Sequence, residues 1–303
     1  MYAHLFGWKL DVPSHDLHFG TSWHVAREYQ LLHGYSDIEG AYKAFEAEYR
    51  KFFPADTDSM YAPKNPSGAL NALMTFAEKY ERDLIDNRVV VIDGKPMTEI
   101  SGRVPINDTR HIYYRMDSIL ERLEDERIFS WDHKTTSGKY INNRQWSEQF
   151  HLSIQNGTYT HCLYCLFPIE RVLGVEFCGA GFEFLQRGSK NRPAGYYATL
   201  QRVPAFKTVE QMNVWLWNVN EIIDNIERET DKLFNCKEED NVLQAFHLNP
   251  KSCMDYKGCP YHDFCLAWNN PLQRLEVPLG YKEEFWDPSE MQTTNKMDLK
   301  WSF

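Results

Sequence analysis

The chain has 303 residues, 43% of them hydrophobic and 15% aromatic, including nine Trp and seventeen Tyr. That is enough to build a large core, and it excludes a disordered polypeptide. The formal net charge of −10 excludes a globally basic nucleic-acid binder, although a basic strip can sit on an acidic body whose carboxylates hold a metal.

No stretch approaches the roughly 20 continuous apolar residues of a membrane span. The opening MYAHLFGWKLDVPSHD carries acid and His where an export signal would be basic and then apolar, so a cytoplasmic protein is expected. With no such signal, seven Cys point to reduced thiols or metal ligands rather than a disulfide framework.

In chain order, residues 20–33 and 36–53 show apolar groups at three- and four-residue spacing and predict two helices, the second with a Ser36/Glu39 capping box. A Pro/Gly/Asn-rich break at 54–67 precedes a helix over 69–85. The period then changes, and 89–106 reads as strands turning at Asp93-Gly94. Residues 111–136 predict two more strands joined near Glu124-Asp125-Glu126. Alternation puts Asp132 and Lys134 on one face of the second, with Phe129, Trp131 and His133 on the other. If the strands pair in register, Asp117 reaches the face of Asp132. A helix over about 144–167 follows, then strands 172–187 and 195–203 around a polar loop, and a long amphipathic helix over 208–234. This order predicts an α/β protein with a central mixed sheet flanked by helices. The last thirty or so residues read as an irregular tail or a docking segment.

The chemistry-bearing residues are Asp117, Asp132 and Lys134. Two carboxylates suit a hard ion such as Mg²⁺ or Mn²⁺ that leaves positions open for water and phosphate. An ammonium two residues along the same face suits orienting water or stabilising phosphate charge. Taken alone, Asp-x-Lys also fits an ion pair at a strand end.

In company, these residues resemble the RecB-like branch of the PD-(D/E)XK nuclease superfamily, which includes small phage exonucleases. The Gly-x-x-x-His motif of that branch is matched by Gly20 to His24, with Glu28 one turn on. The middle acidic residue is matched by Asp117 and the acidic-x-Lys motif by Asp132-His133-Lys134. The downstream Gln-x-x-x-Tyr is matched by Gln155 and Tyr159. The resemblance implies a restriction-endonuclease-like core and metal held by His24, Asp117, Asp132 and the carbonyl of His133. It implies a chemical role for Lys134, and support from Gln155 and Tyr159. Glu99 is a further acidic neighbour, able to support a second ion or merely to sit at a strand edge. The reading divides the chain into a nuclease body at 1–235, a cysteine-rich segment at 236–270 packed on that body, and a tail at 271–303.

Cys253, Cys259 and Cys265 crowd a short loop suited to a soft metal. Several members of the resembled family close the nuclease domain with a four-cysteine [4Fe–4S] cluster, which implies one here. The usual early ligand has no counterpart, since no Cys precedes Cys162, and Cys236 is the replacement considered. Zinc is the alternative, with His262 nearby. Cys162, Cys165 and Cys178 are expected to fill the core.

Lys139, Arg144, Arg187, Lys190 and Arg192 are candidate phosphate contacts, and Tyr140, Trp146 or Tyr159 candidate stacking partners for bases. The expected function is a Mg²⁺- or Mn²⁺-dependent DNA exonuclease acting in recombination, replication or processing, and the partners considered besides DNA are recombination or replication proteins. The alternatives are a silent DNA-binding or assembly module and an RNA or repair nuclease. No Walker-type motif is present, so an ATP motor would be another polypeptide.

Overall fold

The computed structural model describes residues 1–253, 258–274, 276–290 and 293–300. The chain divides into two compact units, one of Ser14–Leu216 with Met291–Phe303, the other of Met1–Pro13 with Trp217–Glu290. This differs from the expected boundary at 235, because the first residues pair with the chain near 282 and the division falls inside the long helix.

The larger unit begins with helices α1 (His15–His33), α2 (Ile38–Tyr49) and α3 (Pro66–Lys79). Its strands are β1 (Thr98–Pro105), β2 (His111–Arg122) and β3 (Ile128–Ser137). Helix α4 (Ile154–Leu166) leads into β4 (Val172–Leu185) and β5 (Gly195–Pro204). Helix α5 (Val209–Phe234) crosses the division, and β6 (Asn295–Lys296) comes from the chain end. The sheet order is β6-β1-β2-β3-β4-β5, with Asn87–Val89 pairing β2 as a seventh strand. Pairs β6/β1 and β3/β4 are parallel and the others antiparallel, which makes the sheet mixed as expected. A parallel β3/β4 pair needs a crossover, and α4 supplies it.

Alternation along β4 sorts the two layers. Ala180 and Phe182 join Phe19, Trp23, Phe45, Leu73 and Phe76 of α1, α2 and α3. Val175 and Phe177 join Tyr159, Cys162 and Leu163 of α4 on the opposite face. Cys162 and Cys178 are buried, and all seven thiols are free.

Several boundaries depart from expectation. Helix α1 starts at His15 rather than 20, after Ser14 in extended conformation. Asp37, not Ser36, caps α2 by accepting from the Gly40 N–H at 2.9 Å. The expected 69–85 helix starts at Pro66, capped by Asn65, and breaks after Lys79. The expected 144–167 helix is two pieces, Arg144–Glu148 and α4, because Ser153 caps the second and starts it afresh. The Asp93-Gly94 turn is as expected, with φ of 52° and 75° joining Val91–Ile92 to Lys95–Pro96.

In the smaller unit, Trp8–Leu10 pairs antiparallel with Tyr281–Glu283. Its interior is aromatic: Tyr2 stacks between Trp8 (5.7 Å) and Tyr261 (5.4 Å), and Phe264 stacks on Trp268 at 4.5 Å. The hydroxyl of Tyr261 ties the strand down by donating to the Trp8 carbonyl at 2.5 Å. Among the described residues, no helix is long and apolar enough to cross a membrane.

Candidate metal centre

The site forms where the β2/β3 ladder opens. Pairing runs from Glu121/Ile128 to Ser118/Trp131, and one further step would set Asp117 opposite Asp132. Instead the Asp117 carboxylate takes over as acceptor, receiving the His133 backbone N–H at 2.6 Å. The strands splay, and the two buried carboxylates stay within each other's field.

Helix α1 lays His24 against this opening. Its Nδ1 is 3.1 Å from Asp117 Oδ1 and 3.9 Å from Glu99 Oε1. Ligand atoms of His24, Glu99 and Asp117 all lie within 4.8 Å of one another, so the three form a cluster able to hold a divalent metal ion. One imidazole and two carboxylates suit Mn²⁺ or Mg²⁺ rather than a soft ion. Asp132 falls outside that trio. Its Oδ2 meets the Lys134 ammonium at 2.6 Å. Its Oδ1 accepts from Gln155 Nε2 at 3.2 Å.

Gln155 and Tyr159, one turn apart on α4, act as a unit. Gln155 Nε2 is 2.9 Å from the Tyr159 hydroxyl, which donates to the Arg115 carbonyl and so ties α4 to β2. Both residues touch the site, and Gln155 orients Asp132.

The ionisation pattern follows from burial and neighbours. Burial alone would lower the His24 pKa, but Asp117, Glu99 and Asp132 together raise it to about 9. Burial would raise Asp117, yet His24, His133 and Lys134 hold it below the usual carboxylate range. Asp132 is pushed up to about 6 by burial and by Asp117, against the pull of Lys134. Burial and Asp117 also raise Glu99. The His133 ring points away from Asp132 and packs near Phe76, where burial and the Arg27 guanidinium drive its pKa down, so it is neutral. Arg27 itself is buried, 3.4 Å over the Phe76 ring.

Two residues here, Arg115 and Arg27, belong to no motif in the sequence. Arg115 grips Glu99 through Nη2 at 2.8 Å and Nε at 3.1 Å. Strand alternation from Asp117 could have found it. Glu28 accepts from Thr98 Oγ1 at 2.8 Å rather than facing His24's partners directly. Arg27 has no motif to betray it.

The expected nucleic-acid contacts divide. Lys139, Arg144, Arg187 and Lys190 are exposed. Arg192 is held by Glu183 at 2.8 Å and lies 4.0 Å over the Tyr197 ring. Trp146 (2% exposed) and Tyr159 (6%) belong to the core and offer no face to a base, which corrects that expectation. Tyr140 remains exposed.

The cysteines are less assembled. The Cys259 N–H donates to the Cys253 carbonyl at 2.8 Å, and burial with both neighbouring thiols raises the Cys265 pKa. The Cys236 thiol instead faces the Lys232 carbonyl at 3.4 Å, at a surface pocket lined also by Asp240 and Gln244. Among the described residues, the thiols form no single-ion cage; the loop at 254–257 lies outside the described residues.

Compared with known proteins, the chain matches no family model, no curated protein and no solved structure.

Proposed function

We propose that the chain is a Mg²⁺- or Mn²⁺-dependent DNA nuclease with a restriction-endonuclease-like core, favouring exonucleolytic attack on free ends. One observation carries this reading. Two buried carboxylates meet at an opened strand pair, with an imidazole and a third acid on one side and an ammonium on the other. Purely structural ion pairs seldom leave three acids this close, because like charges in a dry site repel.

His24, Glu99 and Asp117 would hold the ion, with Asp132 at its edge. A divalent ion there would neutralise phosphate charge and acidify a bound water. Lys134 and Asp132 would flank that water, Asp132 receiving a hydrogen bond from it and Lys134 bringing positive charge to the phosphate oxygens. Gln155 keeps Asp132 aimed, and Arg115 keeps Glu99 aimed. In-line attack of the water would form the new phosphorus–oxygen bond as the opposite one breaks, Asp132 taking the water's proton and solvent protonating the departing oxygen. Lys139, Arg144, Arg187 and Lys190 are the proposed backbone contacts, which implies little base-sequence preference. A [4Fe–4S] cluster on Cys253, Cys259 and Cys265 with Cys236 remains a separate proposal, to which no chemical step is assigned.

End-labelled linear and closed circular DNA, incubated with Mn²⁺ or Mg²⁺ against EDTA, tests the reading. Metal-dependent shortening of the linear form, abolished in Asp132→Asn and Lys134→Ala variants that still fold, is expected. Equal digestion by wild type and both variants would sink the assigned centre. Folded protein that binds DNA but cleaves neither DNA nor RNA would identify a binding module instead.

A further inference from the structure

The chain's last described segment, 293–300, adds to the free edge of β1 beside the metal centre. Strand β6 pairs parallel with β1, Asn295 opposite Ile100 and Lys296 opposite Ser101. The Met297 N–H donates to the Ser101 carbonyl at 2.8 Å and the Leu299 N–H to the Arg103 carbonyl at 2.7 Å. Gly102 is required at this seam, since a Cβ there would sit 1.9 Å from the Met297 carbonyl oxygen. Asp298 clamps Arg103 through both carboxylate oxygens.

Glu99 sits inside this seam in a conformation that β-strands do not favour. Its φ is +43°, in the left-handed region, while Thr98 and Ile100 on either side stay paired with Ser118 and Met116. A non-glycine residue keeps such a backbone only where its surroundings over-determine it. The surroundings here come from the chain end. The buried Asn295 side chain donates from one nitrogen to the Pro96 carbonyl at 2.9 Å and to the Thr98 carbonyl at 2.8 Å. Its backbone holds Ile100. The peptide group before Glu99 is thus anchored by the Asn295 side chain, and the residue after it pairs in register with the Asn295 backbone. Thr294 completes the arrangement: its hydroxyl and that of Thr98 both donate to Glu28 Oε1, at 2.9 and 2.8 Å, tying the segment to α1 one turn from His24.

We propose that Asn295, with Thr294, is a positioning residue for the metal centre, holding Glu99 in the backbone conformation that aims its carboxylate at the ion. This deepens the metal-centre reading and rests on it. Losing the two Asn295 donors frees the Thr98 peptide, lets Glu99 relax to extended geometry and withdraws one ligand. Asn295 never touches metal or substrate. It acts through Glu99.

The test titrates full-length protein with Mn²⁺ alone, reading free Mn²⁺ by electron paramagnetic resonance, beside thermal melting of the same samples. Asn295→Asp keeps the shape but loses the donors, and is expected to weaken Mn²⁺ binding by about 10–100-fold, as loss of support to a metal ligand does. Thr294→Val, at an exposed position, should weaken it by a few-fold with an unchanged melting temperature. Leu299→Ala loosens the same segment without touching the Asn295 bonds; it should lower the melting temperature and leave Mn²⁺ affinity unchanged. Wild-type affinity in both Asn295→Asp and Thr294→Val overturns the proposal. So does an equal loss of affinity in Leu299→Ala, which would mean that the segment acts only through stability. Wild-type protein that binds no Mn²⁺ would instead overturn the metal centre itself, and the proposal with it.

Discussion

The larger unit buries charged groups as well as rings, and the smaller one is held mainly by rings. Around β2 and β3, Glu99, Asp117, Asp132 and Arg27 are all nearly inaccessible, and each meets a counter-charge, a hydrogen-bond donor or an aromatic face from a distant part of the sequence. In the smaller unit the polar contacts run mostly to backbone groups, some local and some, as from Tyr261 to Trp8, between segments far apart in sequence. Glu229 meets Lys232, Asn270 latches the 237–240 backbone, and Cys259 bonds Cys253. Long-range cohesion is added by Tyr2 stacked on Tyr261 and by Trp8 set edge-on to Phe264 and Trp268. Convergence of distant charges costs desolvation, which is offset here only where each charge is paired. A hydrolytic centre can be built ahead of its metal on such a frame. The thiols of Cys253, Cys259 and Cys265, by contrast, are half-buried in a short loop, so any metal bound there would do part of the ordering itself.

That contrast breaks most visibly at Trp8, which is 1% exposed in the smaller unit. Trp8→Ala should cost about 3–5 kcal/mol in that unit, as large-to-small changes in cores do. Hydrogen exchange should rise over 258–286 while β2 to β4 keep their protection. Equal loss of protection in the sheet would mean that the two units do not differ in the way described.

Next in size is Asp117→Asn. The amide still offers an oxygen to the His133 N–H but loses the charge, so the melting temperature should hold while cleavage falls on the order of 10²–10³-fold. Gln155→Ala, one step further out, should lower cleavage by about 10–100-fold through misaimed Asp132. If Gln155→Ala costs more than Asp117→Asn, the assignment of ligand and supporter is inverted.

The pH dependence sharpens the same comparison. With its pKa raised to about 9, His24 carries a proton at neutral pH that an incoming ion must displace. Mn²⁺ affinity should therefore rise with pH, by about tenfold per unit between 7 and 8, and level off above 9. Below about 6 Asp132 takes up a proton as well, and the fall should steepen. In His24→Ala the slope between 7 and 8 should flatten. An affinity independent of pH over that range would remove His24 from the centre.

Much of this was legible in the sequence where local rules govern. Alternation in 128–137 sorted Asp132 and Lys134 from Trp131 and His133, and spacing on α4 put Gln155 beside Tyr159. Register was not legible: nothing local says that the β2/β3 ladder stops at Ser118/Trp131 and that Asp117 replaces a ladder bond. Glu99 stayed ambiguous because its role depends on a left-handed φ, which a glutamate in a strand-like run does not announce. The edge pairing of 293–300 was unreadable for a related reason, since two paired residues carry no period. The cap at Ser153 outcompeted the apolar pattern and moved a helix start from the expected 144 to Ile154, while the cap at Asp37 shifted another by one position.

The smallest expected effect separates two kinds of surface arginine. Arg144 is almost fully solvated, with only a 3.4 Å contact to Glu148, and Lys139 is exposed nearby. Exposed cations of this kind contribute little to stability. If they meet phosphate, the double variant Lys139→Ala/Arg144→Ala should raise KM a few-fold at low salt and leave kcat alone. It should also reduce the salt dependence of DNA binding by about one unit of slope per residue removed. Arg192, braced between Glu183 and the Tyr197 ring, belongs to the other kind. Arg192→Ala should shift loop stability and leave the salt slope unchanged. A slope lowered by Arg192→Ala but not by the double variant would move the nucleic-acid path from the Lys139–Arg144 segment to the β4–β5 loop.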